Sequence, residues 1–249
     1  EVNLSYNYSI GKYKMDSIRT KPNFHTINAI INYRNLVKLD LQYYFGKYKN
    51  NKIVLTGDLP FISYEVGYKK FSQPYIYSHF LGKYYKYTNK LPDTDLLWAR
   101  IGNKNKFGSI SIFGGYLDNK LFFDLNGNTN FTKSMIFAGL ELDLEFKLGK
   151  HFVIQSYNLL QYPFDSKTLS VPLWLTRDAF YYHTSLFKGN AYLKTGIEFL
   201  YFTKYYAPKW NPNIQYFETS EDKLGNFIYP SLYLQLKIKK AVIFAQLEN

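Results

Sequence analysis

Apolar and charged residues alternate strictly between positions 139 and 148, and this period of two limits what the chain can fold into. The apolar set is Leu140, Leu142, Leu144, Phe146 and Leu148, and the charged set is Glu141, Asp143, Glu145 and Lys147. Successive side chains of a β-strand point to opposite faces, whereas a helix would mix the two sets around its circumference. The pattern predicts a strand with one apolar and one charged face.

The same separation recurs along the chain. Segments 36–45, 191–201 and 231–239 place apolar side chains at every second position. Their polar sets contain Lys38, Asp40, Gln42, Lys194, Glu198, Gln235 and Lys237. We expect roughly 12–14 antiparallel strands of about ten residues each, long enough to cross a membrane at a tilt. No apolar run is long enough for a transmembrane helix.

The connections between these segments differ in length. Short turns are expected at Arg34-Asn35, Gly149-Lys150, Lys188-Gly189-Asn190 and Lys239-Lys240. Longer polar stretches occupy 11–23, 82–93, 162–170 and 205–225. Short turns at one end and long loops at the other are typical of transmembrane β-barrels. The pattern therefore favours an all-β, up-and-down barrel of the bacterial outer membrane, with outer-membrane lipid and lipopolysaccharide as its surroundings.

Aromatic residues form 20% of the chain and crowd the expected strand ends, for example at Tyr43-Tyr44-Phe45 and Phe180-Tyr181-Tyr182. Tyrosine suits a boundary with one apolar and one wet side, as in the aromatic girdle of a membrane barrel. A soluble β-sandwich would instead pack its apolar faces inward. A soluble, aromatic-rich, sugar-binding β-protein therefore remains an alternative.

Charge and motifs exclude several functions. The net charge is +12, but arginine occurs only four times and the lysines are scattered, so we expect no nucleic-acid partner. There is no cysteine, the four histidines lack metal-ligand spacing, and no phosphate-binding loop is present. Residues 124–128 are expected to form a hairpin turn rather than a calcium loop. A hydrolytic site at His183 would need Asp178 to orient the ring. We expect no enzyme activity, no metal and no cofactor.

The polar faces supply the candidate functional residues. The acidic row Glu141, Asp143 and Glu145 would set the field for passing ions if it lined a lumen, with lysines such as Lys147 balancing it. Arg177 and Glu198 lie on expected hairpin partners, where they would pair across the wall. An equally weighted interpretation is that these residues only keep the interior wet or fill a narrow barrel with salt bridges.

Stretch 171–217 contains a more specific pattern. It includes Pro172-Leu173-Trp174, then Arg177-Asp178 with Tyr181-Tyr182-His183, and Thr195-Gly196-Ile197-Glu198-Phe199. This order resembles the putative porin family of Bacteroidota outer membranes, best matched over 171–245. The resemblance implies an outer-membrane β-barrel that acts as a diffusion channel. It also implies a longer chain ending in an aromatic-terminated strand, so we expect 1–249 to be a single barrel domain truncated at one or both ends.

Three functional hypotheses follow. The first is a porin-like channel for the passive diffusion of small hydrophilic solutes. The second is a scaffold or subunit of a larger outer-membrane export or surface assembly, joined to other outer-membrane proteins or to copies of itself. Its contact surfaces would be loops 82–93 and 205–225, with the aromatic side chains of Tyr84, Tyr85 and Trp210. The third is the soluble binding protein.

Overall fold

The computed structural model describes residues 1–10, 13–15, 18–20, 23–34, 36–45, 49–73, 79–81, 86–88, 91–164, 169–213 and 216–248. Thirteen long strands form one sheet: β1 (Val2–Ile10), β4 (Asn23–Tyr33), β5 (Val37–Phe45), β6 (Asn50–Asp58), β7 (Ser63–Phe71), β10 (Thr94–Asn105), β11 (Gly108–Asp118), β14 (Ser134–Leu148), β15 (Phe152–Pro163), β16 (Trp174–Leu186), β17 (Ala191–Phe202), β22 (Ile228–Ile238) and β23 (Ala241–Glu248).

Ten short strands lie between the long ones: β2 (Tyr13–Met15), β3 (Ile18–Thr20), β8 (His79–Leu81), β9 (Lys86–Thr88), β12 (Leu121–Phe123), β13 (Thr129–Phe131), β18 (Tyr205–Tyr206), β19 (Lys209–Asn211), β20 (Tyr216–Glu218) and β21 (Lys223–Leu224). One 3₁₀ turn covers Phe187–Gly189. No helix in the described part of the chain has the length and apolar character needed to cross a membrane.

The large sheet is an antiparallel meander. Each long strand pairs with the long strands before and after it in sequence, and β1 and β23 are the two outermost strands. The predicted all-β, up-and-down architecture is confirmed, and 13 strands fall within the expected number. The observed strands also match the alternation, since β14 contains the whole segment 139–148.

The register joins the polar sets of neighbouring strands into one continuous face. Glu141 lies opposite Ser111, for example, and Leu140 lies opposite Ile112. Two contacts on the polar face span an intervening strand, Arg100 to Glu141 across β11 and Tyr181 to Tyr233 across β17. Contacts of this kind are favoured on the concave side of a curved sheet, because side chains converge there. We therefore call the polar face the inner face and the opposite, apolar face the outer face.

Aromatic rings cover glycines on the inner face. Trp98 lies over Gly67, and a methyl group at Gly67 would clash with the Trp98 ring. Phe113 lies over Gly139 in the same way. The missing side chain gives each ring a place against the sheet, because neighbouring strands are only about 5 Å apart. These aromatics lie within the strands, so the aromatic residues are not confined to the strand ends.

The long connections contain more structure than the expected polar loops. Strands β13, β12, β20 and β19 form a separate four-stranded sheet, which we call the loop sheet, with β12 and β20 parallel. Its centre is Phe123, which is fully buried against Leu121 and Tyr216. The loop sheet therefore ties the connection after β11 to the connection after β17. Large parts of the expected loops 11–23 and 82–93, and Asn35, lie outside the described residues.

Candidate channel lining

All twelve residues predicted from the alternation lie on the inner face. Cross-strand partners share a face, so the register can be followed from β5 to β22. The twelve are Lys38, Asp40 and Gln42 on β5, Glu141, Asp143, Glu145 and Lys147 on β14, Arg177 on β16, Lys194 and Glu198 on β17, and Gln235 and Lys237 on β22. Their role as a channel lining stays a prediction.

One closely packed part of the inner face surrounds Glu198, whose side chain is buried. The Arg177 guanidinium donates two hydrogen bonds to its carboxylate, at 2.7 and 2.9 Å. The Tyr181 hydroxyl donates a third at 3.0 Å. The predicted pairing of Arg177 with Glu198 is confirmed, and the two-pronged geometry explains why arginine rather than lysine suits this position.

Lys194 continues this cluster through its contacts with aromatic rings. Its Nζ lies 3.8 Å from the centroid of the Tyr181 ring and 5.8 Å from that of Tyr233. The Tyr233 hydroxyl in turn donates to Gln235 Oε1 at 2.7 Å. The ring faces stabilise the ammonium group electrostatically and leave it on the inner face. Two predicted lining residues, Lys194 and Gln235, thus contact tyrosines, one of which, Tyr181, was expected in the aromatic girdle.

The acidic row on β14 is divided among different partners. Glu141 pairs with Arg100 at 2.6 Å, and Glu145 lies 3.7 Å from Lys147 and accepts a hydrogen bond from Gln155. Asp143 is exposed, with no ion-pair partner in the described ranges. Arg100 was not predicted as a lining residue, although it lies on the inner face of β10 with Trp98 and Lys104.

Charges elsewhere on the inner face are less crowded. Asp40 pairs with Lys52 on the neighbouring strand at 3.1 Å. Lys38 and Lys237 are exposed near the short turns. The inner face therefore combines neutralised pairs with solvent-accessible charges of both signs. Among the residues that the structure describes, no group of three or more His, Cys, Asp or Glu side chains could hold a metal ion.

A polar group also occurs on the outer face, halfway along β15 and β16. Asp178 accepts hydrogen bonds from the Ser156 and Thr176 hydroxyls, at 2.5 and 3.0 Å. Asn158 donates to Ser156, and Trp174 Nε1 donates to Asn158. We call these five residues the outer polar patch. Because Asp178 and His183 point to opposite faces of β16, Asp178 does not orient the His183 ring.

Two aspartates in the long connections have lowered pKa values. Partial burial acts to raise the pKa of Asp124, but the backbone N–H groups of Asn126 and Asn128 and the side chains of Asn128 and Asn130 outweigh it. The Asp124 carboxylate therefore closes the β12–β13 hairpin, as expected for a turn. Burial also acts to raise the pKa of Asp93. The hydrogen bond from Ser72 and the ion pair with Lys49 outweigh burial, so the pKa of Asp93 is lowered.

The comparison with protein families identifies the group to which this sheet belongs. The profile of the family described as "Putative porin" matches residues 2–249. The chain belongs to this family. Proteins of this family and the structural neighbours of the chain are outer-membrane β-barrels, so the chain is a bacterial outer-membrane protein. The alternative of a soluble, sugar-binding β-protein therefore no longer has support. Among curated proteins, no relative matched the chain.

Solved structures with similar folds are larger outer-membrane receptors. The ferric enterobactin receptor of Pseudomonas aeruginosa matches 95% of this chain at a TM-score of 0.60 and 12% identity, over 41% of its own length. The ferric preacinetobactin receptor of Acinetobacter baumannii matches 92% at a TM-score of 0.51 and 10% identity, over 38% of its length. At these identities the likeness concerns the fold alone. The porin-family chain spans about two fifths of the length of these receptors.

Proposed function

We propose that this porin-family chain forms part of the wall of an outer-membrane channel. Small hydrophilic solutes would cross this channel by passive diffusion, without a chemical reaction. The observation that carries the proposal is the inner face, where all twelve predicted polar residues lie together. Solvent-accessible charges there stabilise hydrated solutes that an apolar wall would exclude. Family membership supports the proposal, because it is the feature that separates this chain from receptors of similar fold.

The inner-face charges suggest weak ion selectivity rather than a strong preference for one sign. Arg177 and Glu198 neutralise each other, as do Arg100 and Glu141. The exposed negative charge of Asp143 is balanced by the exposed positive charges of Lys38 and Lys237 elsewhere on the inner face. A lumen with this balance would admit solutes of either charge and discriminate mainly by size.

Reconstitution of the full-length protein into planar bilayers tests the channel directly. We expect stepwise conductance from the wild type. In Asp143→Asn, the reversal potential should move toward the equilibrium potential of the anion, because a negative charge has been removed from the lumen. The permeability ratio should change by up to about twofold, because the lumen is wet and its effective dielectric constant is high. Asp178→Asn is the matched control, since it removes the same charge from the outer face and should leave the reversal potential unchanged.

Three outcomes would decide against this proposal. A folded, membrane-inserted protein that never conducts would refute the channel. Equal shifts of the reversal potential in Asp143→Asn and Asp178→Asn would show that the assigned inner face does not line the conducting path. Conductance that is insensitive to every inner-face charge, including Lys38→Gln, would favour the interpretation in which these residues fill a narrow barrel.

A second candidate, a subunit of an export or surface assembly, is favoured by the loop sheet. Trp210 and Phe217 are both half exposed on it, with ring centroids 5.2 Å apart. Exposed aromatic pairs of this kind recur at protein interfaces. Tyr84 and Tyr85, the other predicted contact residues, lie outside the described residues. Purification in mild detergent tests this candidate: a stoichiometric partner lost in Trp210→Ala supports it, and a monomer or homotrimer counts against it.

A further inference from the structure

Basic residues are concentrated in the short turns of the large sheet. At one end of the large sheet, six short turns connect consecutive long strands, at 34–36, 59–62, 106–107, 149–151, 187–190 and 239–240. Five of them contain lysine or arginine, and none contains Asp or Glu. The basic residues are Arg34, Lys106, Lys150, Lys188, Lys239 and Lys240. All six are exposed, and the described residues offer none of them a carboxylate within ion-pair distance.

Three of these residues occupy backbone conformations that disfavour them. Arg34 has φ 49°, Lys188 has φ 57° and Lys239 has φ 52°, all in the left-handed region. Glycine or asparagine adopts this region at lower cost, and tight turns usually select them. A strained backbone that retains a particular side chain points to a role for that side chain. Phe187, beside Lys188, also has a positive φ (53°), and the property that the other three side chains share is their positive charge.

Exposed apolar rings accompany these charges. Tyr33, Phe107 and Phe187 are 59%, 51% and 75% exposed and adjoin Arg34, Lys106 and Lys188. The Arg34 guanidinium carbon lies 5.4 Å from the Tyr33 ring centroid, and Lys106 Nζ lies 4.8 Å from that of Phe107. Aromatic rings beside cations are typical of protein segments that lie at the level of lipid headgroups.

We propose that the six basic residues form a collar that binds the headgroups of anionic phospholipids in the leaflet facing the short turns. In outer-membrane barrels the short turns face the periplasm, so this is the inner leaflet. The collar supplies cations without internal counterions, and phosphate is the complementary group that a membrane presents at this depth. The turn at 59–62 carries only apolar residues and lies outside the collar.

The test measures lipid selectivity of the full-length protein by electron paramagnetic resonance. Spin-labelled phosphatidylglycerol and phosphatidylcholine are compared for their motionally restricted fractions in reconstituted membranes. We expect the wild type to prefer phosphatidylglycerol, and the preference to fall about fivefold or more in Arg34→Asn/Lys188→Asn/Lys239→Asn at low salt. Because asparagine tolerates positive φ, this variant should fold at least as well as the wild type.

The matched control is Lys204→Asn/Lys209→Asn/Lys223→Asn, which removes three positive charges from the opposite end of the sheet. Its phosphatidylglycerol preference should equal that of the wild type. The proposal is overturned if the wild type shows no preference, if the short-turn variant retains it, or if the control loses it equally. The measurement does not depend on conductance, so a failed channel proposal would leave the result interpretable.

Discussion

Arg177 and Asp178 are neighbours in sequence but lie on opposite faces of β16. The two faces stabilise a carboxylate in different ways. On the inner face, Glu198 receives a guanidinium and a tyrosine hydroxyl. On the outer face, the hydrogen-bond donors to Asp178 among the described residues are the neutral hydroxyls of Ser156 and Thr176. The charged arrangement is compensated within the sheet, whereas the outer polar patch keeps a formal charge among exposed apolar side chains such as Phe180 and Phe199.

The two faces also differ in how tightly they are packed. Inner-face glycines lie beneath aromatic rings, as Gly67 lies beneath Trp98. On the outer face, Gly57 lies beneath Tyr64, whereas the nearest atom to a methyl group at Gly114 would be 3.2 Å away. More glycines lie beneath aromatic rings on the inner face (Gly67, Gly115, Gly139 and Gly196) than on the outer face, so the inner face is the more tightly packed of the two at its glycines. This difference predicts opposite or unequal responses to the same chemical change.

The largest effect is expected from Arg177→Met. Removal of the guanidinium leaves the buried Glu198 carboxylate without its cation, which should lower the free energy of unfolding by about 2–4 kcal/mol. Urea unfolding of the full-length protein in liposomes measures the change. Arg177→Met/Glu198→Met should recover much of the loss, because the unpaired charge is then gone. A double variant no more stable than Arg177→Met would contradict the pairing as the cause.

Gly67→Ala and Gly114→Ala separate the packing of the two faces. The inner substitution displaces the Trp98 ring and should cost about 1–3 kcal/mol as overpacking, with a change in tryptophan fluorescence. The outer substitution should cost less than about 0.5 kcal/mol. Equal costs in the same unfolding assay would mean that the inner face is not the crowded one.

Asp178→Asn and Glu198→Gln test whether the sign of the effect depends on the face. Asp178→Asn removes a charge from the lipid-facing side, so we expect it to raise the free energy of unfolding in liposomes by up to about 1 kcal/mol. Glu198→Gln should lower it by about 1 kcal/mol, because Arg177 loses its counterion. Destabilisation by both variants would indicate that the outer polar patch needs its charge, for example to bind a partner in the membrane.

The smallest effect is expected in the connections outside the sheet. The pKa of Asp124 is lowered, so its stabilisation of the β12–β13 hairpin is complete above the usual carboxyl pKa and is lost as the pH falls through the lowered value. Asp124→Asn should cost less than about 1 kcal/mol locally and remove the acid-dependent step. Cleavage beside Phe122 or Phe131 by pepsin, which is active in this acidic range, reports hairpin opening at each pH when the wild type and the variant are compared. A step that persists in the variant would assign it to another group.

Sequence reasoning captured the fold because a β-sheet needs only local information for its faces. The alternation at 139–148 and its repeats fix which side chains share a face, whatever the neighbouring strands are, and all twelve candidate residues follow that rule. The pairing of Arg177 with Glu198 was also predictable, since a tight turn at 187–190 sets the register of β16 and β17. Where four consecutive residues are polar, as at 155–158, the alternation does not indicate which of them lie on the inner face.

What the sequence by itself determined is the strand meander, its two faces and the polar character of one of them. Only the tertiary structure decided how the charges on that face are distributed. Arg100 reaches Glu141 across an intervening strand, Lys194 rests on two tyrosine rings, and Asp143 stays exposed. These outcomes depend on sheet curvature and on the packing of aromatics over glycines. Both arise from contacts between residues far apart in sequence, which no local pattern encodes.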